Sequence, residues 1–409
     1  MLRHSPKVSP RARCDANHKG VDACWSTLFF MRSTLTFLVF LSAMAIPCLS
    51  DPTPVIRADL RQFGYESFPR KMVRSVALSL SFIDERRVAI AWTAPDTTKS
   101  NRHKEPHRGD AAHVSVVVMD TSSGQKQAKK EWPAPFSYLS PDLAGRGSGK
   151  ILICAGDVLR LLSVTLETVR EKNLQSHSSC NPSPSGSTVL VVGFSDDARH
   201  LQVMDTESLE VLSSWTEKRN VHAGAFAVSE HRLLGYCGKP EELCIRRFDE
   251  GWHALHVPGV QTRTTEGHPI SATFVNDQVL AIRDKIITLA NIDGGMLFQI
   301  SPTDKHLFES PVVSSLNGEH FVILEGRLRG ITSGPLDMYP FYADDRATVY
   351  DIKKHHSDFS IKLQGTSPWT PWHAIHNVIA LSPDGTSLAL ISEGVLQVFL
   401  IATHSGEQQ

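Results

Sequence analysis

From Arg74 onward the chain repeats a short all-β phrase, and this repetition narrows the folds open to it. The clearest copy is the last. Residues 377–392 read as an apolar run, a Ser382-Pro383-Asp384-Gly385 turn and a second apolar run; Gly394 then opens a third, ending near Ile401. Proline presets one turn dihedral and glycine tolerates positive φ, so the two residues punctuate strands. The runs between them have strand length and strand composition.

The phrase recurs upstream with falling fidelity, at 76–120, 138–162, 181–205, 223–249, 270–293 and 312–351. Aligning its first turn gives Asp84, Asp142, Ser185, Glu230, Asp277, Asn317 and Asp384, spaced by 58, 43, 45, 47, 40 and 67 residues. A unit of about 40 to 50 residues with three or four strands has the period of a β-propeller blade. Third strands often close on Asp and a turn, as in Asp120-Thr-Ser-Ser-Gly, Asp205-Thr-Glu-Ser and Asp293-Gly-Gly. Fourth strands follow at 209–215 and 296–300.

Through motifs such as Leu381-Ser-Pro-Asp-Gly and Leu201-Gln-Val-Met-Asp-Thr, residues 55–403 resemble WD40-like or YVTN-like propellers. The resemblance implies an all-β, seven-bladed propeller with blades of about four antiparallel strands. It is specific for architecture and leaves function open. No Trp-Asp dipeptide closes a blade, which departs from a standard WD40 array. The last unit lacks a fourth strand of its own, and Val55-Ile-Arg-Ala-Asp-Leu-Arg61 could supply it, closing the ring.

Charge separates residues 1–50 from the rest. They carry six basic and two acidic residues, whereas 51–409 carry 36 basic and 41 acidic ones. A net of -5 argues against nucleic acid as the partner. An uncharged apolar run at 35–46 follows Arg32 and precedes Pro47-Cys48-Leu49-Ser50. That is the layout of a secretory signal, and it is too short for a confident membrane span, which needs about 20 apolar residues. The expected organisation is a leader, 1–50, with a signal starting near Met31 and cleaved near 50/51. One propeller domain, 51–409, follows it, secreted or periplasmic, with no transmembrane span in the mature chain and a monomeric state. An uncleaved anchor and an intracellular scaffold are the competing readings.

Three connections exceed the repeat: 94–112, 325–346 and 364–376. They belong to units one, six and the junction of six with seven, so a closed ring gathers them over one sector of one face. They carry Arg327, Arg329, Tyr339, Phe341, Tyr342, Trp369, Trp372 and His373, residue types favoured at recognition sites. Long connections are also where binding roles concentrate. These residues form the candidate binding face for a protein or small-molecule ligand; tolerated surface insertion is the plain alternative.

Past the leader remain Cys154, Cys180, Cys237 and Cys244. Cys237 and Cys244 flank an expected hairpin and are the predicted disulfide; Cys154 with Cys180 is a second candidate, a buried thiol at Cys154 being equally suitable. His103, His107 and His113, with His373 and His376, make a metal site imaginable, but Arg102, Lys104 and Arg108 would repel a cation. Gly145-Arg-Gly-Ser-Gly-Lys150 lacks phosphate-loop spacing and reads as a turn. No catalytic motif, cofactor or metal pattern is found. The resulting expectation is an exported binding module. The alternative is a propeller enzyme, lactonase-like or quinoprotein-like, with its site at the channel mouth, where spacing along the chain cannot reveal it.

Overall fold

A propeller blade is packed on both faces by its neighbours, so its middle strands are continuous apolar runs while its rim strand faces water. In blade 3, Thr188–Phe194 is buried at every position but the last, whereas Val211–Lys218 alternates exposed and half-buried residues. The computed structural model describes residues 52–401, apart from 66–77, 96–110, 136–140, 176–177, 196, 219–223, 239–241, 261–270, 284, 304, 309–311, 334–337, 364–377 and 393.

The strands form seven antiparallel sheets in a ring, a seven-bladed β-propeller. Strands are numbered here from the channel outward. Six sheets have four strands; in blade 6 the first position is shared by Leu307–Phe308 and Val313–Ser314, both paired with His320–Ser333. Blade 7 is completed from the other end of the chain. Ile56–Asp59 pairs with Val395–Leu400, placing Ile56 opposite Val398 and Asp59 opposite Val395, as the strand near Val55 was expected to do. The 3-10 turn Leu60–Phe63 follows, with Leu60 and Tyr65 buried in the core shared by blades 7 and 1. Tyr65 meets Trp92 of blade 1 edge-on at 6.0 Å.

Blade 2 departs from the expected alignment. Asp142 opens its first strand, Asp142–Gly145, opposite Cys154; the turn lies at 146–149, where Gly147 and Gly149 adopt φ of 66° and 77°. Ser140-Pro141-Asp142 matches the letters of Ser382-Pro383-Asp384, but the glycine that permits positive φ is the deciding residue.

A polar bond joins each blade to the next. Ser81 Oγ accepts from Gly145 N (2.8 Å), Asp142 Oδ2 from Cys180 N (2.8 Å), and Ser229 O from Thr188 Oγ1 (2.8 Å). Asp277 Oδ1 accepts from Ser229 Oγ (2.7 Å), Gly318 O from Asn276 Nδ2 (2.9 Å), and Pro383 O from Asn317 N (3.0 Å). Asp384 N donates to Glu85 Oε2 (3.4 Å), which closes the circuit. Most of these groups sit at the turns between first and second strands.

Candidate functional site

Antiparallel order decides which connections share a face. Links from second to third strand, and from one blade to the next, lie on one side; the turns joining first to second and third to fourth strands lie on the other. These are called the connection face and the turn face below.

On the connection face, blade 6 builds most of the expected 325–346 loop as strand. His320–Ser333 and Met338–Asp351 pair as one hairpin, with Arg327 opposite Ala343 and Ser333 opposite Met338. The first-strand segments reach only Gly326, and the fourth strand, His356–Lys362, reaches only Arg346. Beyond those points the hairpin is a two-stranded ribbon without sheet neighbours among the described residues. The six steps from Arg327 to Ser333 span about 20 Å at strand rise. Register shifts between Glu325 and Arg327 and between Leu328 and Gly330 mark bulges, which bend and twist a ribbon.

The hairpin brings Arg327, Arg329, Tyr339, Phe341 and Tyr342 together on two paired strands; Trp369, Trp372 and His373 lie outside the described residues. Its base is anchored by Glu325, only 4% exposed, whose carboxylate accepts from Thr303 N (2.8 Å) and from the Thr303 hydroxyl. Burial, then the Glu325 charge, push the nearby Tyr350 hydroxyl up to about 12. In blade 1 the 94–112 connection is likewise shortened by strand: Thr93, Ala94 and Pro95 pair with Val114, His113 and Ala112, leaving 96–110 outside the described residues. Blades 1 and 6 both pack on blade 7 through apolar cores, so the described ends of these connections belong to three adjoining blades.

On the turn face, the channel mouth is bridged from opposite sides of the ring. A methyl group on Gly147 of blade 2 would come within 3.1 Å of Leu316 Cδ1 in blade 6 and 3.9 Å of Pro383 Cβ in blade 7. Beside it, blade 1 offers a cleft of about 400 Å³ lined by Asp84, Glu85, Arg86, Arg87, Asp120 and Gln127. Arg87 Nε donates to Asp84 Oδ2 at 2.7 Å. The Ser122 hydroxyl, then the Ser123 N–H, hold Asp120 down at about 2. Desolvation, then the Asp384 carboxylate of blade 7, push Glu85 up to about 7.

Both cysteine pairs lie at disulfide distance. Cys237 and Cys244 sit diagonally across two paired strands, Cα to Cα 5.8 Å. Cys154 and Cys180 join blades 2 and 3 at 6.1 Å. A carboxylate oxygen of Asp142 lies within 4.8 Å of both of those sulfurs, and burial pushes that carboxyl up to about 7 against the Cys180 N–H. A second cluster of possible metal donors, His320, Asp351 and Asp358, falls on the turn face of blade 6. Sequence reasoning did not select it. His320 is distant in the chain from Asp351 and Asp358, and strand register with a bulge brings the three together.

No family model matches this sequence, and no curated protein matches it. Among solved structures the chain is similar to the C-terminal WD40 domain of Sif2, at 12% identity and TM-score 0.47, covering 86% of this chain and 98% of that one. It is also similar to a chain of a mitotic checkpoint complex, at 12% identity and TM-score 0.45, covering 86% and 96%. The WD40-like, seven-bladed architecture stands on this chain's own strand pairing.

Proposed function

We propose that the chain is an exported β-propeller binding module whose recognition face is the connection side of blades 6, 7 and 1. The observation that carries this reading is the ribbon of blade 6, whose strands run to 14 residues each. A two-stranded hairpin is marginal in water without further packing, and among the described residues no strand pairs with either of its edges beyond Gly326 and Arg346. It carries Arg329, Tyr339, Phe341 and Tyr342, residue types that dominate binding energy at protein interfaces. Export is supported by the basic leader with its apolar run at 35–46 and by the two cysteine pairs, since disulfides persist in oxidising compartments. The acidic body favours a protein or small-molecule ligand over nucleic acid.

The test compares the wild type with a variant in which residues 329–342 are replaced by Asn-Gly, a two-residue hairpin turn. The trimmed chain is expected to keep its circular dichroism and to lose a partner that the wild type captures from the exported fraction. Identical captured sets would remove the reading. N-terminal sequencing of native protein should begin near Asp51; an intact N-terminus on cytosolic protein would overturn export.

A further inference from the structure

The turn between third and fourth strands is built alike in blades 1, 3 and 6. An aspartate ends or nearly ends the third strand, and one of its oxygens accepts two turn N–H groups. Asp120 Oδ1 accepts from Ser122 and Ser123 (2.9 and 2.8 Å), Asp205 Oδ1 from Glu207 and Ser208 (3.0 and 2.7 Å), and Asp351 Oδ1 from Lys353 and Lys354 (2.8 and 2.9 Å). A bulge then leaves one fourth-strand residue without a cross-strand partner: Gln127, Leu212 or Asp358. In blade 1, Gln127 Nε2 donates to the second oxygen of Asp120 at 3.2 Å, and Arg87 stands opposite that aspartate. In blade 6 the same two places hold Asp358 and His320.

Two carboxylates therefore meet one imidazole. Asp351 Oδ2 lies 3.8 Å from His320 Nε2, and Asp358 Oδ2 lies 3.6 Å from the same nitrogen. The Asp358 side chain is 2% exposed, and its Oδ2 is buried without a hydrogen bond. These separations are too long for hydrogen bonds. They suit the edges of a coordination shell: ligands about 2.1 Å from a tetrahedral zinc stand about 3.4 Å apart. His356 Nε2 sits 3.1 Å from the other oxygen of Asp358, the place of an outer partner that orients a ligating carboxylate. Lys354 Nζ lies 3.0 Å from Asp351 Oδ2, and its side chain is 46% exposed, so it can swing into solvent and release that oxygen.

We propose that His320, Asp351 and Asp358 form a zinc-type divalent metal site on the turn face of blade 6, with Lys354 as a competing internal cation. One imidazole and two carboxylates suit zinc better than magnesium or calcium, which take shells made of oxygen. Three protein ligands leave a fourth position for water or an incoming donor.

The test is calorimetric titration of the full chain with zinc chloride alone. One saturable equivalent is expected. Asp358→Asn, which restores an amide where blade 1 has Gln127, should weaken it at least about tenfold. Lys354→Met should tighten it, and magnesium chloride should give no comparable uptake. Histidines elsewhere, such as His103, His107 and His113, can also take up zinc, so the variants decide. Wild-type protein without zinc uptake, or affinity unchanged in both variants, leaves only an ion-pair cluster and overturns the proposal. If circular dichroism shows that Asp358→Asn does not fold, Lys354→Met carries the test alone: tighter zinc supports the site, and unchanged zinc overturns it.

Discussion

Blades 1 and 6 flank blade 7 and carry the same corner, finished in different ways. In blade 1 the charges are matched internally: Arg87 pairs with Asp84, and Gln127 covers the free oxygen of Asp120. In blade 6 the equivalent residues are His320 and Asp358, so two carboxylates face one imidazole and a surface lysine. The backbone template, an aspartate-capped turn followed by a bulge, sets where the side chains meet. The residue types then decide whether the corner is self-sufficient or leaves negative charge for a cation.

Glycine substitutions break this comparison most sharply. Gly149 and Gly385 both sit at positive φ, 77° and 78°, facing Arg87 and His320 respectively. A methyl group on Gly149 would stay 3.6 Å from Arg87 Nη2, but one on Gly385 would fall 2.4 Å from His320 Nδ1. Gly149→Ala is expected to cost about 1 kcal/mol, from backbone strain alone. Gly385→Ala should cost about 2 to 4 kcal/mol, because the His320 ring must also move. Urea unfolding measures both; equal losses would show that His320 is not seated against blade 7.

A transplant tests the same point with a smaller effect on stability. Arg87→His with Gln127→Asp gives blade 1 the donor set of blade 6. The double variant should lose about 1 to 2 kcal/mol at neutral pH, since the Arg87–Asp84 pair is lost and a like charge replaces a hydrogen-bonding amide beside Asp120. It should also gain one zinc equivalent over the wild type in the same titration. A variant that folds without the extra equivalent would mean that the bulge does not aim the two side chains alike in the two blades.

The turns and middle strands are legible in the sequence, for a physical reason. Ser382-Pro383-Asp384-Gly385 combines a fixed φ, a side chain that accepts turn N–H groups and a positive-φ glycine, and few other conformations suit all three. Val395–Leu400 is apolar because both blade faces are covered, and Ile56–Asp59 was recognisable as the missing edge. Asp142 misled because Ser-Pro-Asp without glycine carries only part of the turn chemistry. The blade 6 corner was illegible. Rim strands such as Thr168–Asn173 are mostly exposed and carry no apolar alternation to fix register. Nothing in the letters around Asp358 announces a bulge that re-aims its side chain inward. The ribbon reads as a loop in the sequence because 325–346 exceeds the repeat, whereas its paired strands continue through Gly330.

Acidity supplies the finest distinction between the corners, since blade 1 retains a titrating group at its border with blade 7. Glu85 stands beside Asp384, and its folded pKa of about 7 lies above the ordinary 4.5. The sign follows from which state keeps the proton. Below 4.5 both folded and unfolded chains hold it, and its stabilising effect is complete. Between 4.5 and about 7 the unfolded chain releases the proton first, so stability falls as pH rises; above about 7 the loss is complete. Glu85→Gln keeps an N–H donor toward Asp384 and removes the charge, so it should match the wild type at pH 5 and melt higher at pH 8. The group is exposed and screened, which limits the gain to about 1 °C. Comparing the melting temperatures of both proteins at the two pH values cancels every contribution that the two chains share. An equal shift at pH 5 and pH 8 would mean that Glu85 and Asp384 do not share a proton across the ring closure, leaving the Asp384 N–H bond to Glu85 as their only link.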